Sequence, residues 1–129
     1  MNAVIQGCSL LLVAATICAI PASARSHLNC VAKKVIIVDS PEGNNSSGIE
    51  EKLVFWIDET AKTITFADGT PLIVRGFQDH WISADRGDLH YEFDRQNGNL
   101  MYAGSTTKEG IATTIIGAGR CETLSGPAR

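Results

Sequence analysis

The sequence predicts an all-β domain: an antiparallel meander of about eight short strands, curled or barrel-like, closed by one disulfide. Three observations predict it. Short β-rich runs recur at a spacing of roughly 8–12 residues with turn chemistry between them. After residue 24 almost nothing carries the apolar period of a helix. Two cysteines, Cys30 and Cys121, stand near the two ends of that later stretch.

The N-terminus reads differently from the rest. Residues 1–24 contain no Asp, Glu, Lys or Arg. Leu10 to Ile20 is apolar except for Thr16, Pro21 breaks the run, and Ala22-Ser23-Ala24 offers small residues at −3 and −1 of a cleavage site. This is the pattern of a secretory signal peptide, although Met1 to Ser9 supplies no Lys or Arg and only the α-amino group is positive. The alternative is an uncleaved anchor. A bilayer span wants roughly 20 apolar residues, and this core is shorter and ends in proline. Lipidation of Cys18 fits less well, because bacterial signals place a small residue before the cysteine and Ile17 stands there. The expected organisation is a signal peptide over 1–24, one β domain over 25–129, and a destination in the periplasm or outside the cell.

A domain of that length buries roughly two-thirds of the surface of its unfolded chain. The formal net charge is −3, and no basic run exceeds Lys33-Lys34. Phosphate backbones and anionic membranes need a concentrated basic surface, so neither nucleic acid nor membrane insertion after cleavage is expected. Cys8 and Cys18 leave with the signal peptide, and Cys30 and Cys121 then have a single intramolecular pairing in an oxidising compartment. Closing a loop of roughly 90 residues stabilises the fold by about 4–5 kcal/mol in the chain-entropy model. A metal or redox role lacks C-x-x-C spacing and nearby histidines.

Along the chain, Val31 to Asp39 holds the β-branched run Val35-Ile36-Ile37-Val38, a strand apolar on both faces and expected to be buried on both. Residues 40–51, rich in Pro, Gly, Asn and Ser, read as a mobile loop. Its Asn44-Asn45-Ser46-Ser47 holds two N-x-S sequons, which matter only in a host that glycosylates secreted proteins. Lys52 to Asp58 alternates Leu53, Phe55 and Ile57 with Val54 and Trp56. Lys62 to Phe66 follows, then a turn in which Gly69 supplies positive φ. Leu72 to Phe77 and His80 to Ala84 come next, joined by a bend at Gly76. Asp88 to Asp94 alternates most cleanly, with Leu89, Tyr91 and Phe93 on one side. Asn97-Gly98 is the strongest hairpin signal and leads into Asn99 to Ala103. Ile111 to Ile116 is the last strand; Gly117-Ala118-Gly119 reads as a flexible strand end and 122–129 as a frayed tail. Tight connections favour antiparallel neighbours, and a sheet of this size curls to protect its edges, with the Cys30–Cys121 link as a possible closing seam.

Motifs for chemistry are missing. The chain has no G-x-S-x-G, H-E-x-x-H, Walker sequence or dinucleotide fingerprint, and no cofactor is expected. His80 and His90, beside Asp79 and Glu92, could form a metal or acid–base pair, but two ligands without a spacing signature favour surface histidines, and no metal is expected. His27 falls in the frayed start. Asp85, Asp88, Glu92 and Asp94 could supply a glycosidase pair only if burial raised one pKa, and their alternation near turns points to solvent instead. Trp56 and Trp81 carry the one hint of binding. Trp56 lies opposite the Phe55 face, so either the sheet covers both faces or an exposed patch meets a partner. The candidate binding residues are Trp56, Trp81, His80 and His90.

Phe93-Asp94-Arg95, Gly98 after it, and Gly119-Arg120-Cys121 together resemble a pattern in small exported two-cysteine β-meander proteins of proteobacteria. The resemblance covers about a third of the chain after residue 24. It implies a periplasmic β-meander and carries over no functional residue. Periplasmic lysozyme inhibitors share the general form, but their Ser-Gly loop with a nearby Tyr has no counterpart, since Ser125-Gly126 lies in the tail. The leading expectation is an exported non-enzymatic module that binds a protein or an envelope component, of unknown oligomeric state. A small hydrolase, an inhibitor and an apolar-ligand carrier are the alternatives.

Overall fold

The computed structural model describes residues 25–125, so the proposed signal peptide and the end of the tail lie outside the described residues. Eight strands follow in chain order: β1 (Arg25–Ser40), β2 (Gly43–Asp58), β3 (Thr63–Phe66), β4 (Ile73–Phe77), β5 (Trp81–Arg86), β6 (Leu89–Asp94), β7 (Asn99–Lys108) and β8 (Ile111–Ser125). They form one antiparallel sheet in the order β3-β2-β1-β8-β7-β6-β5-β4. Every strand lies beside its neighbours in sequence, and β8 returns to β1, which is the meander expected. The outermost strands meet through a bridge between Thr65 and Pro71, and the Leu72 N–H donates to the Ile64 carbonyl at 3.0 Å. The sheet is a nearly closed barrel.

Cys30 and Cys121 are disulfide-bonded and stand directly opposite each other in the β1–β8 ladder. That ladder is continuous on both sides of them, so the bridge reinforces a finished junction. The incomplete seam lies instead between β3 and β4. Both are short, and Pro71, with no N–H to give, starts the approach to β4.

The cysteine pair also sets which side chains point inward. Alternation puts Leu28, Cys30 and Ala32 of β1 into the barrel, and register carries Phe55 and Ile57, Ile64, Ile82, Phe93 and Leu100 in with them. Phe55 is the hub: its ring meets those of Phe66, Tyr91 and Phe93 at centroid distances of 4.8, 5.8 and 4.9 Å. Burying each such ring contributes roughly 1.5–3 kcal/mol. Side chains therefore fill the barrel, and an open cleft of about 440 Å³ lies at its open end. The other end is covered by Phe77, against which the Lys62 and Arg95 cations rest at 5.2 and 5.6 Å, with Arg95 paired to Glu59.

Turn chemistry follows the sequence where the signals are strong. Gly98 has φ of 77°, and the Asp94 carboxylate accepts from the Gln96 and Asn97 amides at 3.0 Å. Glu109 and Gly110 both have positive φ, the two-residue hairpin geometry.

Four expectations are corrected. Residues 43–51 are not a loop: only Pro41 and Glu42 turn, and Gly43 to Glu51 run as strand paired to β1 from Ser40 back to Ala32. The β-branched Val35–Val38 run supplies a template that overrides the polar composition. Val35–Val38 is in turn not buried on both faces: Val35 is exposed and Ile36, Ile37 and Val38 are half-buried, with no second layer stacked on the sheet there among the described residues. Residues 117–125 are not a frayed end but the second half of β8, and Ser125 still pairs with Ser26. His27 is not in a frayed start either. It is buried within β1 and faces the Trp56 ring at 5.4 Å.

The strands differ greatly in length. β3 covers β2 only over Phe55–Asp58, and β6 covers β7 only over Asn99–Ala103. The far parts of β2, β1, β8 and β7 therefore run on past the barrel as a four-stranded flap.

Candidate binding face

Register builds the outer face row by row. One row runs Ile73, Asp85, His90, Ala103, Ile116, Val35 and Gly48, from β4 across to β2. The next runs Ser83, Glu92, Met101, Ala118, Lys33 and Glu50. Together they place a cluster of ionic side chains over β5 and β6 and mainly apolar ones over β7 and β8, with Ile73 at one end and Lys33 and Glu50 at the other.

The ionic cluster spans β4–β6. His90 is bonded through Nδ1 to Asp85 and through Nε2 to Glu92 at 2.8 Å. Asp85 also accepts from Arg75 Nε at 2.7 Å, and Glu92 from Trp81 Nε1 at 3.0 Å. The Trp81 ring lies over Gly76, where a Cβ would stand 3.2 Å from Cζ3. Hydrogen bonds from Arg75 and then His90 hold the Asp85 carboxyl below its usual range. Bonds to Asp85 and then Glu92 raise His90 above its ordinary value, against a smaller opposing effect of burial. Arg75, Asp85, His90 and Glu92 are thus linked in one chain of ion pairs.

The apolar part spans β7, β8 and β1. Met101 is 63% exposed, Ile116 47% and Val35 39%, with Ala103 and Ala118 between them, while Lys33 separates this group from Val31, which is 46% exposed opposite Arg120. A shallow groove of about 250 Å³ joins the two, bounded by His90, Glu92, Met101, Ala103 and Ile116. Met101, Ala103, Ile116 and Val35 adjoin one another across the ladders and form a short apolar stripe rather than scattered singles.

On the inner side, the barrel mouth is closed by a polar cluster. The Tyr102 hydroxyl donates to Glu51, and Lys34 Nζ lies 3.3 Å from the same carboxylate. The Tyr102 ring stacks on Tyr91 at 5.1 Å and lies over Gly117, where any side chain would collide with it. Burial, and then Glu51, push the Tyr102 phenol well above its usual range, so it stays a donor. Beyond this plug an open cleft of about 440 Å³ lies between the β5–β6 turn and the flap, with Arg86, Leu89, Thr113 and Ile115 among its walls.

The four candidate residues do not form one site. Trp81 and His90 are brought together through Glu92. His80 lies at the opposite end of the β5–β6 pair, in the turn, where its carbonyl accepts from the Arg95 amide at 2.8 Å. Trp56 is half-buried on β2, beside His27 and opposite Thr65. Among the carboxylates, Asp85 and Glu92 flank His90 and Asp94 caps a turn, and among the described residues no group of three or more His, Cys, Asp or Glu is placed to hold a metal. Sequence reasoning did not pick out Met101, Ile116, Val31 and Val35 as a surface. Their parity opposite Cys30 and Cys121 was the signal available. Comparison with models of known families, with curated proteins and with solved structures finds no match.

Proposed function

We propose that this chain is an exported, non-enzymatic β module that binds a protein through the outer face of β6, β7, β8 and β1. The observation that carries the reading is the Met101–Ile116–Val35 stripe, with an ordered Trp81–Glu92–His90 network on its flank. A small domain that already fills its barrel leaves about 39–63% of the surface of Met101, Ile116 and Val35 in water. Their burial is left for association, where large apolar and aromatic groups within a polar surround supply most of the binding energy. Export rests on residues 1–24, and an oxidised Cys30–Cys121 pair fits that compartment. The absence of a catalytic motif and the full pairing of Asp85, His90 and Glu92 with one another support a binding role over hydrolysis. The test is affinity capture from envelope extract with the wild type and with Ile116→Asp. A protein retained by the first and lost by the second supports the reading, and an identical capture overturns it.

A further inference from the structure

The outer edge of β2 is open over most of its length. β3 pairs with β2 only from Phe55 to Asp58, and the Val54 carbonyl accepts from the Ala67 amide at 3.0 Å. That last bond fixes the parity of the whole strand. In an antiparallel ladder successive residues point their backbone groups to alternate sides, and β1–β2 has no register shift. The N–H and C=O groups of Asn44, Ser46, Gly48, Glu50 and Lys52 therefore face away from β1, with no strand beside them among the described residues. A flat edge of this length, without proline or bulge, is a template for another strand.

We propose that the strand it takes is the same edge of a second copy, paired antiparallel about a two-fold axis at Gly48. Three observations select this occupant. The open segment, Asn44 to Lys52, is centred on residue 48, so this axis uses every free backbone group on both strands. Charge agrees: Glu50 meets Ser46 of the second copy, Glu51 meets Asn45, and Lys52 meets Asn44, with no like charges opposed. Moving the axis toward the barrel to residue 50 or 51 instead sets Glu50 against Glu50 or Glu51 against Glu51, which is destabilising, and an axis at residue 49 leaves the Asn44 groups unpaired. Lastly, among the described residues nothing calls for glycine at 48. A Cβ there would meet only the Lys34 carbonyl oxygen, at an ordinary 3.7 Å. Glycine within a strand weakens it, and a close approach by another backbone is one of the few reasons for it. The two flaps then become one continuous sheet, closing the longest open edge by an isologous contact.

Light scattering on the eluting protein and sedimentation equilibrium, with the disulfide intact, test this directly. The wild type is expected to show a concentration-dependent dimer. Ser46→Pro removes an edge N–H on each copy without touching the β1 ladder, and should raise the dimer dissociation constant by roughly 30-fold. Ser46→Glu, which keeps the backbone and sets a carboxylate opposite Glu50, should also weaken the dimer, whereas Ser46→Lys should tighten it. Circular dichroism checks that each variant keeps the fold. A wild type that stays monomeric from micromolar to near-millimolar concentration overturns the proposal, and so does a dimer whose constant the Glu and Lys variants leave unchanged.

Discussion

Replacing Gly117 with alanine adds one methyl group to the inner face of β8, and the structure gives that methyl no room. Its carbon would lie 2.0 Å from Tyr102 Cζ and 2.3 and 2.4 Å from the two Cε atoms. Carbon atoms rest about 3.5–4.0 Å apart, so the ring must retreat by more than an ångström. Retreat breaks the hydroxyl bond to Glu51 and disturbs the stack on Tyr91. Overpacking of this kind costs about 1–3 kcal/mol, and losing a hydrogen bond to a charged group about 1.5–3 kcal/mol. Alanine returns about 0.5–1 kcal/mol through its lower chain entropy. The net expectation is a loss of about 2–5 kcal/mol, a large share of what a domain of this size has. Urea unfolding with the disulfide intact measures it. In a Tyr102→Leu background, where the ring is gone, the same Gly117→Ala change should cost under about 1 kcal/mol. A loss below about 0.5 kcal/mol in the wild type, or an equal loss in both backgrounds, refutes the packing argument.

Removing both Cys30 and Cys121 as alanines should lower stability by about 4–5 kcal/mol while leaving the β-sheet circular dichroism in place, because the β1–β8 ladder continues on both sides. Denaturant titration reads the first effect and the far-ultraviolet spectrum the second. The Asp85–His90–Glu92 network should give a pH window. His90 has a raised folded-state pKa, so its contribution is complete below 6.5 and is lost as pH rises through the raised value. Asp85 is lowered, so its contribution is present above 3.8 and is lost as pH falls below it. The groups are partly exposed, so the alkaline loss should be below about 1 kcal/mol and shrink in high salt. His90→Gln should flatten it, as thermal melts across that range would show.

Much of the fold was legible because its signals are local. Leu89, Tyr91 and Phe93 alternate, Asn97-Gly98 turns, and the cysteine count leaves one bridge. The misreadings share a cause, which is information carried by a partner strand. Gly43 to Glu51 looks like a loop until Val35–Val38 is laid beside it. Gly117 looks flexible until register brings Tyr102 across it. For the candidate face, Trp81 and His90 were singled out as residue types, but their link through Glu92 depends on the β5–β6 register. The apolar stripe was hidden more deeply. Its members come from three strands, and each alone is an ordinary strand residue. Parity offered a partial route: with Cys30 inside, Val31 and Val35 must be outside and Lys34 inside, where it meets Glu51.

The most direct test of the outer-face reading is quantitative affinity capture from envelope extract with Ile116→Asp and Met101→Asp beside the wild type, with Gln96→Glu in the exposed β6–β7 turn as a charge control away from that face. The account predicts a protein retained by the wild type and the Gln96 variant and lost from both stripe variants, all four being equally folded. Retention of the same protein by all four would contradict it.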